Sequence, residues 1–229
     1  MAGGAATPVA GDAPGADPQD PGKPGIRGDP GIDRMDAALR ARLLEAARSV
    51  VAAHFDELPA PPEPVDCREA FPGVFVSLYA PDGLRGCTGI LDASIPVGRA
   101  VMQCAVAAAT ADPRFDPIAI DDLPGVAFEI SVLGPPSPME RIEALELGRH
   151  GIIVSSGARR GLLLPRVATD HGMSVAEFLD AGCRKAALPP GAWRTSAVTV
   201  ELFTAEVFCE ATPGVPRDQV TRPRPGLPE

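Results

Sequence analysis

Between Val126 and Leu133 the side chains alternate without interruption: Val126, Phe128, Ile130 and Val132 fall on one face of an extended strand, and Ala127, Glu129 and Ser131 on the other. A strand with one strongly apolar face has to pack that face on another layer and find neighbours for its backbone groups. Such neighbours lie upstream. Phe71 to Tyr79 is rich in Val and aromatic residues, Pro81-Asp82-Gly83 is turn chemistry, and Leu84 to Leu91 follows directly, which predicts a hairpin. If hairpin and strand share one antiparallel sheet, Glu129 on the less apolar face can approach the second hairpin strand.

That second strand opens Leu84-Arg85-Gly86-Cys87-Thr88-Gly89. Alternation puts Arg85 and Cys87 on one side and Leu84 and Thr88 on the other. A guanidinium beside a thiol favours the thiolate, which is the nucleophilic form. Gly86 and Gly89 remove Cβ atoms on either side of the sulfur, the mark of a bulge or of close approach by a ligand or another backbone. The same six residues also suit a buried cysteine in a glycine-softened strand.

Asp36 is placed as an N-cap, because Leu39, Leu43, Ala47, Val50 and His54 recur at helical spacing to about Phe55. His54, at the helix end, has a structural reading. Pro59 to Pro64 breaks the helix. Ser94 is expected to cap a second helix with Pro96 in its first turn and a buried stripe of Val97, Val101, Cys104, Ala105 and Ala108. The loop Asp112-Pro113-Arg114-Phe115-Asp116-Pro117 offers Arg114 either to an anion or to Asp112 or Asp116.

Gly134-Pro135-Pro136-Ser137-Pro138 is a hard break. A smaller α+β excursion follows, with a short segment over Ile142 to Leu147, strands over Gly151–Ser155 and Gly161–Leu164, and Pro165 ending the second of them. His150 stands at the head of the first strand, the best-placed histidine for acid–base work. Ser174 and Glu177 make a capping box for a helix that ends near Leu188, and Trp193 anchors the returning chain. Val198 to Cys209 reads as one long strand, bulged near Thr204, that rejoins the main sheet.

Residues 1–34 carry eight Gly and six Pro and too few aliphatics to offset the entropy of ordering, so 1–35 reads as a loose lead-in and 212–229, rich in Pro, as a loose tail. The net charge of −9 argues against a broad nucleic-acid surface. Five cysteines without a C-x-x-C pair suggest neither a disulfide framework nor a zinc site. No apolar run is long enough for a membrane span, and the expectation is a soluble, reduced, cytoplasmic protein, with no cofactor or metal ligand set indicated by its residues.

The succession L-R-G-C-T-G at 84–89, D-P-R-F at 112–115, E-I-S-V-L at 129–133, H-G-I-I-V at 150–154, G-L-L-L-P-R-V-A at 161–168 and F-L-D-A-G-C-R-K-A-A-L-P-P-G-A-W at 178–193 resembles the AMMECR domain family, whose bacterial and archaeal members are also called AmmeMemoRadiSam system protein A. The resemblance covers about Asp36 to Glu210. It implies an α+β fold: a mainly antiparallel sheet with flanking helices built from both chain ends, a smaller inserted α+β subdomain at about 134–187, and a cleft between them. By motif position it places Arg85, Gly86, Cys87, Gly89, Arg114, Glu129 and His150 near that cleft. Departures from the family pattern are Thr88, Met173, Ala187 and Arg166, the last standing where glutamine is common.

Two functions of different class follow. The first is an enzyme or enzyme component with Cys87 as nucleophile, His150 as base, Glu129 orienting it, and Arg85, Arg114, Gly86 and Gly89 around a small anionic substrate. The second is a non-catalytic module that docks a Memo-type or radical-SAM protein, partners implied by the resemblance, or a small ligand.

Overall fold

The strand alternation and turn signals become two antiparallel sheets in the computed structural model, which describes residues 35–55, 65 and 71–210. Apart from Met35, the lead-in lies outside the described residues, as do the Pro59–Pro64 break, Cys67 and the tail after residue 210. Helix α1 (Ala37–Phe55) starts where Asp36 Oδ1 accepts the Leu39 N–H at 2.7 Å, satisfying a donor the first helical turn leaves orphaned. Leu43, Ala47 and Val50 are buried as the spacing required, while His54 is exposed and meets Phe55 edge-on.

Strands β1 (Val74–Ala80) and β2 (Gly83–Ile90) form the expected hairpin, and helix α2 (Val97–Thr110) follows. Ser94 does not cap α2: its N–H and hydroxyl both donate to Asp92 Oδ1, at 2.9 and 2.6 Å. The helix starts after Pro96, whose fixed φ suits the entry and which has no N–H to satisfy. Strand β3 (Ala127–Leu133) lies antiparallel to β1, and β8 (Ala205–Cys209) lies outside β3, giving the order β2-β1-β3-β8. Val76, Leu78, Phe128 and Ile130 project from one face into a core shared with Leu43, Val51, Val101 and Ala105. Each such side chain contributes about 1.5–3 kcal/mol by leaving water.

The ends of the folded region are clamped together. Arg48 of α1 donates to both carboxylate oxygens of Glu210, at 2.9 and 2.5 Å, and to the Leu123 and Val126 carbonyls. Glu210 in turn accepts the Phe128 N–H at 3.1 Å.

The second sheet, in the order β4-β7-β5-β6, comprises β4 (Ser137–Pro138), β5 (Gly151–Ser156), β6 (Arg159–Leu163) and β7 (Thr199–Phe203). The expected single strand over Val198–Cys209 is therefore two. The chain changes sheets at Thr204, so β7 pairs with β5 and only β8 rejoins the main sheet. Gly134 N–H donates to the Thr204 carbonyl at 2.8 Å, which sets the outgoing and returning crossings side by side. Helix α4 (Val175–Lys185) covers one face of this sheet and starts at the expected capping box, with Ser174 and Glu177 bonding reciprocally. A short helix that the alternation did not announce, α3 (Pro165–Asp170), uses Pro165 as its first residue. Pro165 thus ends β6 by opening a helix. Trp193 anchors the return, its Nε1–H donating to Asp180 Oδ1 at 2.8 Å. Among the described residues no helix is long and apolar enough to cross a membrane.

Candidate functional site

The face of the main sheet turned away from α1 and α2 carries a line of polar side chains. Ser77 on β1 stands directly opposite Cys87 on β2 and, on its other side, opposite Glu129 on β3. Cross-strand partners share a face, so Cys87, Ser77 and Glu129 form one transverse row. It continues to Cys209 on β8. The face read as less apolar is nonetheless buried at Ser77, Glu129 and Ser131, while at the two ends of the row Cys87 is half-buried and Cys209 exposed. Part of the cover comes from the smaller lobe, where Ile153 and Phe203 pack on Leu133, and Leu162, Leu164 and Phe75 join them.

A bulge shapes the cysteine end. Leu78 pairs with Gly86 but Tyr79 pairs with Leu84, leaving Arg85 as the extra residue. Strict alternation is thereby broken, and Leu84 packs with Tyr79 and Ala127 on the face that carries Cys87, not on the opposite one. Arg85 is half-buried and makes no hydrogen bond or ion pair with another described residue. Both glycines serve close packing. A Cβ on Gly86 would sit 1.9 Å from the Ala108 carbonyl oxygen, so α2 lies directly on the strand backbone. A Cβ on Gly89 would meet the Phe75 ring at 2.3 Å.

Asp112 ties the loop after α2 to this strand. Its Oδ2 accepts the Cys87 N–H at 2.8 Å, and its two oxygens take Arg114 Nε and Nη2 at 3.0 and 2.7 Å. Burial opposes ionisation there, but these donors hold the carboxyl below its usual range. Arg114 is thus the expected partner of Asp112. It also lies near enough to Cys87 for the two side chains to interact.

The Ser77 hydroxyl donates to Cys87 Sγ at 3.3 Å. Burial pushes the thiol up, and the pull of Ser77 and Arg114 does not overcome it, while Asp112 and Glu129 push it further. The lowered thiol expected beside Arg85 is not found: the arginine acting on Cys87 is Arg114, and its pull is outweighed by desolvation. Burial likewise pushes Glu129 up to about 7, against the attraction of Arg166.

Arg166 is the residue that sequence reasoning did not select for the site. It comes from α3 in the smaller lobe, pairs with the Glu129 carboxylate, donates to Asp170 Oδ2 at 3.0 Å and lies 5.4 Å from the Tyr79 ring centroid. Its available signal was its departure from glutamine at that place. Ser77 had one too, as a hydroxyl in an otherwise apolar hairpin strand.

His150 does not join the row. It lines a separate groove of about 500 Å³ with Glu140, Arg141, Phe203 and Thr204, and its Nδ1 accepts the Glu146 N–H at 3.1 Å. None of Ser77, Cys87, Arg114 or Glu129 lines that groove. Glu129, expected to orient the histidine, is held by Arg166 instead. Among the described residues no three His, Cys, Asp or Glu side chains converge in a way that could hold a metal ion.

The AMMECR1 family model matches residues 44–208. Protein MK0488 of Methanopyrus kandleri is 44% identical over 153 residues, covering 63% of this chain and 74% of its own length. Protein Ta0236 of Thermoplasma acidophilum is 39% identical over 187 residues, covering 78% and 90%. The crystal structure of the uncharacterized protein PH0010 from Pyrococcus horikoshii superposes with a TM-score of 0.71 at 33% identity, over 80% of this chain and 96% of that one.

Proposed function

The chain belongs to the AMMECR1 family, and from that premise we propose that it is an enzyme or enzyme component acting on a small anionic molecule through Cys87, with Glu129 as the proton acceptor. The observation that supports this most is the row Cys87–Ser77–Glu129, which ends on a buried carboxyl pushed up to about 7. A base is most effective when its pKa lies near the working pH. The thiol proton is given up to Glu129 as the Cys87 sulfur adds to a carbonyl carbon of the substrate, whose π electron pair moves onto the carbonyl oxygen. Arg114 and the Ser77 hydroxyl stabilise the charge that develops on sulfur. Arg85, at the bulge, attracts the substrate's anionic group. The family resemblance supports a place for this step beside Memo-type and radical-SAM proteins.

Alkylation of Cys87, followed by peptide mass spectrometry, tests the reading. Glu129→Gln removes a negative charge that disfavours the thiolate, so a purely electrostatic Glu129 predicts faster alkylation in the variant. A base predicts slower alkylation at pH 7, and acceleration would overturn the assignment. Arg85 is read from the ratio of iodoacetate to iodoacetamide labelling, which falls in Arg85→Met if this cation recruits anions and is unchanged if it does not.

The raised thiol favours a second reading, a recognition module in which Cys87 is a packing residue and the cleft docks a Memo-type or radical-SAM partner or a small ligand. Its mark is a Cys87 that labels only on unfolding, together with capture of such a partner by the Cys87→Ser variant as well as by the parent chain.

A further inference from the structure

Far along the smaller lobe from the cysteine row, two elements bring cations to one corner of a chain whose net charge is −9. Strand β6 is the outer strand of its sheet and begins Arg159-Arg160, both exposed. Helix α4 ends on Arg184-Lys185, also exposed. The two meet closely: a Cβ on Gly161 would lie 2.5 Å from the Ala186 nitrogen and 2.6 Å from the Lys185 carbonyl carbon. Arg159 Nη1 donates to the Ala187 carbonyl at 3.3 Å. Strand periodicity puts Arg159 and Gly161 on the face that α4 covers, so Arg159 and Lys185 flank one stretch of strand edge, while Arg184 lies on the far side of α4 beside Asp180. Arg194 stands next to Arg184 across Asp180, whose carboxylate is engaged by the Gly191 N–H and by Trp193.

Each set of cations has an ordinary use by itself. Arginines on an edge strand keep like chains from pairing. Cations in a last helical turn suit the carbonyls there. Neither use requires the two sets to meet beside an open backbone edge, and the charge that repels a second copy of this chain attracts an acidic strand. We propose that the outer edge of β6 is a docking site for an extended acidic segment of a partner protein. The segment adds a strand beside Arg159–Leu163 and turns its carboxylates towards Arg159 and Lys185. Backbone bonds give it purchase, and the cations select the sign of its side chains. A nucleic acid is the poorer occupant, because a few cations on an acidic chain release few counterions.

The test uses the full chain and a blocked peptide of alternating glutamate and threonine, whose period places every carboxylate on one face. Amide hydrogen exchange should show protection of residues 159–163 when the peptide is added. In calorimetry the paired substitution Arg159→Ser/Lys185→Ser should weaken binding about tenfold, equivalent to about 1.4 kcal/mol. A lysine–threonine peptide should not bind. Binding without protection of the β6 amides would mean attraction by charge alone and would overturn the strand-addition proposal. So would single-stranded DNA that binds more tightly than the peptide, or protection of the same amides by raised protein concentration in the absence of peptide. These substitutions lie outside the Cys87 row, so their failure leaves the reading of that site untouched.

Discussion

At the scale of single residues, desolvation decides the chemistry. A guanidinium beside a thiol argues for thiolate, yet Cys87 is half-buried and the water it loses is enough to push its thiol up. The same cause brings Glu129 up to about 7. A sequence displays neighbours but not the water that folding removes, and this is why the arginine was legible while the direction of the shift was not. Gly86 shows the opposite case. Its missing Cβ was readable as a site of close approach, and the structure supplies the approaching group, the Ala108 carbonyl. Since that group is helix backbone and cannot swing aside, Gly86→Ala is expected to destabilise the fold by about 2–3 kcal/mol, measured by urea unfolding. A loss below experimental error would show that α2 can shift on the sheet without cost.

At the scale of elements, local signals succeeded where the local chain supplies the partner. The α4 capping box is complete within four consecutive residues, Ser174 to Glu177, and it formed as read. Ser174→Ala should cost about 1 kcal/mol, seen as a lower denaturation midpoint at unchanged slope. Local reasoning failed at Ser94, where an equally suitable hydroxyl is bound to Asp92 and the helix waits for Pro96. It also failed at Thr204. The stretch Val198 to Cys209 reads as a continuous strand, but its two halves bond to different sheets, through β5 on one side and β3 on the other. Strand propensity contains nothing about which sheet will accept the strand. The bulge at Arg85 has the same character, because a single extra residue returns Leu84 to the face of Cys87.

At the scale of the whole molecule, the Arg166–Glu129 pair joins the two lobes through the centre of the candidate site. Glu129 titrates at about 7 in the folded chain against 4.5 for the ordinary group. The unfolded chain therefore loses this proton first on raising the pH, and between those values the folded state binds more protons. The contribution of Glu129 to stability is full below about pH 4.5 and is lost as pH rises through about 7, by roughly 3 kcal/mol in total. Arg166→Gln removes the main attraction that favours the carboxylate. It should destabilise the fold at pH 8 more than at pH 5 and move the Glu129 midpoint upward, followed by carboxyl NMR; equal losses at both pH values would mean that Glu129 does not titrate in this range. The sequence by itself determined the α+β class, the hairpin, the helices at Asp36 and Ser174, the Asp112–Arg114 loop and the family, because each rests on periodicity, capping or an ordered set of motifs. Only the tertiary structure decided that Ser77 stands between Cys87 and Glu129, that Arg166 crosses from the second lobe to reach Glu129, and that His150 lines a different groove. Strand register and lobe packing bring together residues distant in the chain, and those same contacts exclude the water that sets their charge.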